Sequence, residues 1–242
     1  MAMKHNIRRL VQRFGLDIVR YPLHSPSART VRLLQHHRVD HVTDVGANDG
    51  GFASSIRRLG YTGKIVSFEP LTQPFEALRR KAALDGNWDV YRNAIGDTRG
   101  EVTINVSGNS GLSSSVLPML DTHLIAAPNS RYVDTETVGQ ERLDSLLPKM
   151  GVGEHNRTFL KVDVQGYESA VLEGASGLFA DGAIVGLQLE LSLAPLYAGA
   201  MTYRAALERA EGFGMTLMGL DPVFSDPTSG RLLQVDAVFF AV

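Results

Sequence analysis

The chain has 242 residues, of which 44% are hydrophobic and 21% are charged, which is typical of a single α/β domain with a sizeable core. Its formal net charge of −2 creates no general attraction for nucleic acid. Because the chain has no cysteine, disulfides, thiolate zinc sites and cysteine nucleophiles are excluded. No apolar run approaches the roughly 18–20 residues that cross a bilayer, so we expect a cytoplasmic enzyme without a transmembrane segment.

Residues 1–40 are predicted to form an N-terminal helical segment ahead of one larger domain over residues 41–242. The segment is basic, and its first apolar residues recur at helical spacing, namely Ile7, Leu10, Val11 and Phe14. A short basic amphipathic helix binds a membrane surface or an anionic substrate, or it covers a sheet edge or an active site. We favour the covering role because the apolar face is short. A second helix is predicted to begin at Ser25-Pro26-Ser27.

A strand, a glycine turn and a helix are predicted within residues 41–59. The strand carries Asp44 just before a turn that contains Gly46 and Gly50, and glycine lets a ligand approach the backbone closely. A dinucleotide-binding turn has the pattern G-x-G-x-x-G, but Asn48 occupies its second glycine position here. An acid before the turn instead suits a ligand with a free amino group, such as S-adenosylmethionine (SAM), whose carboxylate would meet the backbone N–H groups. The alternative is a turn that only joins the strand to the helix.

A second acid, Glu69, ends the strand predicted over residues 64–70. Its distance in sequence from Gly46 is close to the spacing at which nucleotide-binding folds place a carboxylate on the ribose hydroxyls. NAD-dependent enzymes share this feature, so Glu69 indicates an adenosine ligand without selecting the cofactor. A helix N-cap is the alternative role for this acid. The next strand ends at Asn93, which we place near the adenine.

A long polar loop is predicted over residues 107–135. Loops of this length in compact domains are usually functional or mobile. We interpret it as a lid over the cofactor and the acceptor. His123 lies in the loop and is interpreted as a solvated side chain rather than a site residue. Residues 136–138 and 143–147 are then predicted to return the chain to the sheet.

Two later strands are predicted over residues 158–164 and 183–191, and each carries an acid near its end. Strand alternation puts Lys161, Asp163 and Gln165 on one side, where buried charges are costly unless they are paired. Glu190 lies near the end of the second strand. Carboxylates that converge at the carboxyl ends of strands raise one another's pKa and become better bases near neutral pH. The alternative is a structural cluster in which Lys161 neutralises the acids.

Two final strands, over residues 213–220 and 235–241, follow each other without a helix and predict a hairpin. The predicted fold class is therefore α/β and Rossmann-like. We expect a mostly parallel seven-stranded sheet with a C-terminal antiparallel hairpin and helices on both faces, as in class I methyltransferases.

The order of these motifs resembles that of the FkbM family of SAM-dependent O-methyltransferases, over roughly residues 40–241. The stretches that carry the resemblance are V-T-D-V-G-A-N-D-G at 42–50, V-S-F-E-P at 66–70, R-N-A-I-G-D at 92–97, the serine run after Gly111, L-D-S-L at 143–146 and F-L-K-V-D-V-Q-G-Y-E at 159–168. Members of that family often have glutamate where this chain has Gln165, so no carboxylate role is transferred to that position.

The resemblance implies SAM as the cofactor and suggests which residues bind it. The turn residues would hold the methionyl part, Glu69 the ribose, Asn93 with Ala94 the adenine, and Asp163 would lie beside the methyl group. The expected cofactor-binding residues are Asp44, Gly46, Asn48, Gly50, Glu69, Pro70, Asn93, Ala94, Ser113 and Asp163. The expected catalytic residues are Asp163, Glu190 and Lys161.

The resemblance also implies the reaction, which is methylation of a sugar hydroxyl in a polysaccharide or oligosaccharide precursor or in a glycolipid glycan. Asp163 or Glu190 would act as the base during in-line displacement, and Lys161 would orient that acid. The same two acids offer oxygen ligands for Mg²⁺, but no metal-binding spacing is present, and no metal site is predicted. We expect a sugar or glycan acceptor and no nucleic-acid partner, and a homodimer is left open.

Three other functions compete with this hypothesis. The chain could methylate a hydroxyl of a non-sugar natural product. It could be an NAD-dependent oxidoreductase, which Glu69 favours and Asn48 opposes. It could also bind glycans without catalysis, although the retained Lys161, Asp163 and Glu190 argue against this.

Overall fold

The computed structural model describes residues 11, 13, 14, 25–153 and 155–242. The basic helix predicted around Ile7 and Phe14 therefore lies outside the described residues, except for Val11, Arg13 and Phe14 themselves. The division between an N-terminal segment and a larger domain at residue 41 stays a prediction.

Eight α-helices and ten strands are present among the described residues. The helices are α1 (Pro26–His36), α2 (Gly51–Arg58), α3 (Thr72–Ala82), α4 (Asp121–Ala126), α5 (Leu143–Leu146), α6 (Glu168–Glu173), α7 (Ser176–Ala180) and α8 (Tyr203–Gly212). The strands are β1 (His41–Val45), β2 (Lys64–Phe68), β3 (Trp88–Tyr91), β4 (Ala94–Ile95), β5 (Gly100–Ser107), β6 (Tyr132–Glu141), β7 (Thr158–Val162), β8 (Ile184–Ser192), β9 (Met215–Ser225) and β10 (Leu232–Ala241).

Seven of these strands form the main sheet, in the order β3-β2-β1-β7-β8-β10-β9. The pairs from β3 to β8 are parallel, and β10 is antiparallel to both β8 and β9. The predicted fold class is thus confirmed, including the C-terminal hairpin. Because β1 lies between β2 and β7, the strand order reverses at β1, and α/β sheets bind ligands at the carboxyl ends of the strands beside such a point.

Helices cover both faces of the main sheet, each over its own apolar cluster. On one face, Leu34 of α1, Ile56 of α2 and Leu78 of α3 pack against the sheet. On the other face, the apolar residues of α5 to α8 pack against β7, β8 and β10. Helix α1 starts where the sequence predicts, because the side chain of Ser25 accepts a hydrogen bond from the Ala28 N–H and Pro26 occupies the first turn.

A separate three-stranded sheet, in the order β4-β6-β5, stands beside the main sheet. The prediction that residues 136–138 and 143–147 rejoin the main sheet is therefore wrong. Residues 136–138 belong to β6, which pairs with β5 through an antiparallel register, and residues 143–146 form α5. An alternating strand carries no signal that identifies the sheet it will join, because alternation specifies only which side chains are buried.

The segment predicted as an irregular lid is partly regular. It contains helix α4 and a short 3₁₀ helix at Pro128–Ser130, and Met119 forms an isolated bridge with Tyr197. His123 is only 2% exposed, so its interpretation as a solvated residue is wrong. Its ring packs against the rings of Tyr197 and Phe224, and burial lowers the pKa of the imidazole.

Within the described part of the chain, no helix is both long enough and apolar enough to cross a lipid bilayer.

The close packing between β8 and β10 gives a test of the core. A Cβ atom at Gly186 would lie 2.6 Å from the ring of Phe240 and 2.7 Å from that of Phe159. We expect Gly186→Ala to lower the free energy of unfolding by about 1–3 kcal/mol, the usual cost of overpacking. Gly212→Ala is the matched control, because a Cβ there meets nothing within 4 Å. Urea denaturation measures both, and equal stabilities would contradict the packing argument.

Candidate functional site

A cavity opens at the carboxyl ends of β1, β2 and β7, the edge at which α/β sheets bind ligands. The end of the main sheet, the small sheet and the loop after β5 all contribute to its walls. Its lining residues include Gly46, Asn48, Glu69, Pro70, Asn93, Ala94, Ile104, Gly111, Leu112, Ser114, Ser115, Val116, Asp163, Gln165 and Tyr167. Seven of the ten predicted cofactor residues are in that set, whereas Asp44, Gly50 and Ser113 are not.

The glycine turn is held close to the end of β7. Gly46 has a φ of +75°, and a Cβ atom at this position would lie only 1.9 Å from the carbonyl oxygen of Asp163. A glycine is therefore required here for both conformation and space. Gly50 has a different role, because a Cβ there would collide with the side chains of Trp88 and Leu78 in the core.

The backbone N–H groups of the turn already have acceptors. Those of Gly46 and Ala47 both donate to the carbonyl oxygen of Phe68 at 3.0 Å, and that of Asn48 donates to Glu69 Oε2 at 2.8 Å. The sequence predicts that these groups meet the carboxylate of SAM. In the structure, the N–H groups of Gly46, Ala47 and Asn48 tie the turn to the end of β2.

Glu69 lines the cavity and also fixes the turn. Its second oxygen, Oε1, accepts a hydrogen bond from the Leu71 N–H at 2.9 Å. Burial raises the pKa of Glu69 to about 7, although the backbone donors of Leu71 and Asn48 oppose the rise. A carboxylate oxygen accepts more than one hydrogen bond, so these contacts leave room for the hydroxyls of a ribose.

Asp44 lies beneath the cavity rather than in its wall. Its side chain is fully buried, and Oδ1 lies 3.2 Å from Nζ of Lys161 on the neighbouring strand. Burial raises the pKa of Asp44, and the charge of Lys161 opposes the rise. The physical reason for its position is the register, which makes Asp44 and Lys161 direct neighbours on β1 and β7.

Lys161 connects this buried pair to the cavity. Its Nζ also lies 3.5 Å from Oδ2 of Asp163 and 5.5 Å from the centre of the Phe52 ring. Burial alone would lower the pKa of Lys161, but the charges of Asp44 and Asp163 outweigh burial and raise it. The ammonium group is thus held in its charged form beside Asp163.

Asp163 and Glu190 come together, as the sequence predicts for acids at the carboxyl ends of strands. Nε2 of Gln165 lies 2.8 Å from Asp163 Oδ1 and 2.6 Å from Glu190 Oε2. Only Asp163 reaches the cavity, with 34% of its side chain exposed. Burial raises the pKa of Glu190 well above its usual value, and the charge of Asp163 adds to the rise.

The structure does not support Mg²⁺ between these two acids. The position between their oxygens is occupied by the amide nitrogen of Gln165, a hydrogen-bond donor, where a bound cation would need an open site with further oxygen ligands. Among the residues that the structure describes, no group of three or more His, Cys, Asp or Glu side chains is arranged to hold a metal ion.

The serine run closes the other side of the cavity. Ser113 does not line it, because its hydroxyl is bound to the side chains of Asn109 and Ser130 within the loop. Ser114 and Ser115 do line the cavity, and Oγ of Ser115 donates to the carbonyl oxygen of Gln165 at 2.6 Å. The loop is therefore bonded directly to the segment that carries the acids.

The sequence assigns no role to several polar lining residues, namely Ser114, Ser115 and Tyr167. All three lie within motifs of the chain, but their spacing alone indicates no role. The contacts that bring them to the cavity join residues that are about 50 positions apart, such as Ser115 and Gln165. A local sequence pattern does not predict contacts of this kind.

A sequence comparison identifies the family to which the chain belongs. The model of the methyltransferase FkbM domain matches residues 44–215, more than two thirds of the chain and all of the elements that reach the cavity. The chain belongs to the FkbM methyltransferase family. It is therefore a SAM-dependent methyltransferase. The sequence matches no curated protein.

Solved structures similar to this FkbM methyltransferase are distant in sequence. EvdMO1 is 11% identical with a TM-score of 0.43, and the match covers 98% of this chain and 47% of that one. The methyltransferase domain of bacterial CtHen1 is 10% identical with a TM-score of 0.48, covering 89% and 96%. Precorrin-6y C5,15-methyltransferase from Geobacter metallireducens GS-15 is 13% identical with a TM-score of 0.46, covering 92% of both chains. The FkbM chain thus spans about half the length of EvdMO1.

A second buried acid of the site, Glu168, gives a test of stability against pH. Its Oε1 accepts the N–H groups of Val164 and Gly166, and burial raises its pKa from 4.5 to about 7. A raised pKa in the folded state gives stability below the unfolded pKa that is lost as pH rises through the folded pKa. We expect Glu168→Gln to keep both hydrogen bonds through its amide oxygen and to avoid this loss. Relative to the wild type, the variant should gain on the order of 1.4 kcal/mol for each pH unit between the unfolded and the folded pKa of Glu168.

Glu69→Gln is the matched control, because both oxygens of Glu69 accept backbone N–H groups. An amide provides only one acceptor oxygen, and the pKa of Glu69 is also raised to about 7, so this variant should show the same change with pH but stay about 1–3 kcal/mol less stable than Glu168→Gln at every pH. Urea denaturation at pH 5, 6.5 and 8 measures both variants. A difference between Glu168→Gln and the wild type that does not change with pH would contradict the argument.

Proposed function

We propose that this FkbM methyltransferase transfers the methyl group of SAM to a hydroxyl of a sugar, in a polysaccharide or oligosaccharide precursor or in a glycolipid glycan. The observation that carries the proposal is the set of carboxylate, amide and hydroxyl groups that line the cavity at Asp163, Gln165, Ser114 and Ser115. Sugar hydroxyls both donate and accept hydrogen bonds, so they match a surface of this composition.

The polar groups that line the cavity match the donors and acceptors of SAM. Glu69 has oxygens for the ribose hydroxyls, and Asn93 with Ala94 borders the region proposed for the adenine. Gly46 and Asn48 border the methionyl part. The carboxylate of Asp163 is then the negative charge nearest to the positive sulfonium, and opposite charges a few ångströms apart attract each other strongly where water is partly excluded.

SAM supplies a methyl group on a sulfonium, which leaves as a neutral thioether. Catalysis by the protein is then mainly positioning of the acceptor oxygen, with removal of its proton. We assign the proton to Asp163, because 34% of its side chain is exposed and it lines the cavity, whereas Glu190 is not among the lining residues. Lys161 holds Asp163 in place through its ammonium group, and Asp44 in turn fixes Lys161.

The charge of Asp163 gives a test that needs no acceptor. S-adenosylhomocysteine lacks the sulfonium charge but is otherwise matched to SAM. We expect Asp163→Asn to weaken SAM binding about tenfold, or ~1.4 kcal/mol, while S-adenosylhomocysteine binding changes little. Isothermal titration calorimetry measures both. The control is Asp97→Asn, because Asp97 lies outside this cavity and should alter neither affinity. An equal loss for both ligands in Asp163→Asn would remove this acid from the neighbourhood of the sulfur.

The acceptor class is tested by transfer of a labelled methyl group from SAM. The panel contains neutral oligosaccharides, a glycolipid, a phenolic natural product and an RNA oligonucleotide. We expect transfer to a sugar hydroxyl, with turnover reduced by at least about a hundredfold in Asp163→Ala because general-base catalysis contributes on that scale. Transfer to the phenol alone would support the natural-product alternative. Transfer to RNA alone would overturn the sugar proposal.

A further inference from the structure

We infer that Tyr167 selects the adenine base of SAM, because its phenol oxygen accepts a hydrogen bond from the 6-amino group of the purine. The inference rests on the proposed function, since it uses the placement of the adenine beside Asn93 and Ala94. It adds a specificity-determining residue for the cofactor and names the chemical group that this residue recognises.

The side chain of Tyr167 is a wall of the cofactor cavity. It also borders an outer groove lined by Ser169 and Arg209, so it lies between the cavity and that groove. Many of the other side chains along the cavity are apolar, as at Ile95 and Ile104. In a ligand site of this kind, a few placed polar groups fix the orientation and the identity of the ligand.

The hydroxyl of Tyr167 lies at the end of the cavity that is proposed for the adenine. It is 3.3 Å from Oε1 of Gln140, and Gln140 is the register partner of Ala94 where β4 meets β6. A Cβ atom at Gly96 would lie 2.8 Å from the same Oε1 atom. The phenol oxygen is therefore close to the short strand that carries Ala94 and Ile95, and both of these residues line the cavity.

The amide of Gln140 has only one orientation that suits its neighbours. Its Nε2 lies 3.0 Å from the carbonyl oxygen of Thr98 and 3.0 Å from the Thr98 hydroxyl oxygen. The carbonyl oxygen can only accept, so it requires the amide nitrogen, and Oε1 must face Tyr167. Because Gln140 is only 4% exposed, a reversed amide would leave buried polar atoms unpaired, which is costly.

This orientation determines the direction of the hydrogen bond between Tyr167 and Gln140. Oε1 of Gln140 carries no hydrogen, so the hydroxyl of Tyr167 must be the donor. A phenol has one hydrogen, and here that hydrogen is used. The phenol oxygen therefore offers only lone pairs to a ligand, and a ligand group that binds it must be a donor.

SAM has three kinds of hydrogen-bond donor. The ribose hydroxyls are proposed to bind Glu69, and the ammonium group of the methionyl part is proposed to lie near Gly46 and Asn48. The remaining donor is the 6-amino group of the adenine, which belongs at the end of the cavity where Tyr167 offers its acceptor. A base without this amino group would leave the phenol oxygen unpaired, and a site built for a hydrogen bond discriminates against such a ligand.

The test compares S-adenosylhomocysteine with its purine analogue, in which hydrogen replaces the 6-amino group. Isothermal titration calorimetry with the full chain measures both affinities. The wild type should bind S-adenosylhomocysteine about tenfold more tightly than the analogue. Tyr167→Phe keeps the ring and removes the acceptor, so the ratio of the two affinities should fall to within about twofold of unity. The variant and the analogue together form a cycle that isolates this one contact.

Tyr203→Phe is the matched control. It removes a tyrosine hydroxyl that accepts a hydrogen bond from Nε of Arg204, and Tyr203 is not among the residues that line the cofactor cavity. The ratio of affinities should stay at the wild-type value in this variant.

A second variant covers the case in which Tyr167→Phe does not fold, as judged by its thermal unfolding. Gln140→Met removes the acceptor that holds the phenol hydrogen, so the hydroxyl becomes free to donate to a ring nitrogen of the purine. The analogue should then bind more tightly than it binds the wild type, and the ratio should again fall. An unchanged ratio would refute the assigned direction of the hydrogen bond.

Two further results would overturn the inference. One is a wild type that binds S-adenosylhomocysteine and the analogue equally. The other is a Tyr167→Phe variant that weakens both ligands by the same factor, since the side chain would then only shape the wall. The titrations need no acceptor, so either result leaves methyl transfer to sugars untouched, and failure of that transfer leaves the role of Tyr167 untouched. A wild type that binds neither SAM nor S-adenosylhomocysteine would overturn the placement of the cofactor together with the inference.

Discussion

A lysine enclosed by a sheet must be paired, because an isolated charge in the protein interior costs several kcal/mol. Lys161 is 7% exposed and is bracketed by Asp44 and Asp163. Asp44 and Lys161 are also register partners of β1 and β7. A shift of one residue between these strands would turn the lysine to the opposite face, away from both acids. The charge pairing and the strand pairing thus specify the same arrangement, and every other polar group of the site is arranged around it.

The glycine turn and the proposed base depend on each other through the backbone. The Asp163 N–H donates to the carbonyl oxygen of Val45, and its own carbonyl group fills the space that a side chain at Gly46 would need. The glycine turn therefore cannot move relative to Asp163 without breaking the end of the sheet. Under the proposed function, this holds the methyl donor at a fixed distance from the proposed base, which positional catalysis requires.

The main sheet could be predicted because its strands are short apolar runs that end in glycine, proline or acidic residues, as at Asp44 and Glu69. The small sheet could not, since the alternation in β5 and β6 is the same whichever sheet receives them. In the site, seven residues of the cavity wall could be predicted, fewer than half of them, because glycines and polar residues at strand ends lie at one edge. The sequence could not distinguish Asp44, which is buried beneath the cavity, from Asp163, which faces it. That difference depends on the strand register and on the position of Lys161, and neither can be predicted from residue type alone.

The small sheet has its own apolar cluster, in which Leu71, Ala94, Ile104 and Val138 pack together. It carries one wall of the cavity and the base of the serine loop, while the acids belong to the main sheet. Substitutions in the small sheet can therefore reshape that wall without disturbing the buried charges. A division of this kind lets the shape of the pocket drift in evolution while the ionic framework beneath it is inherited intact.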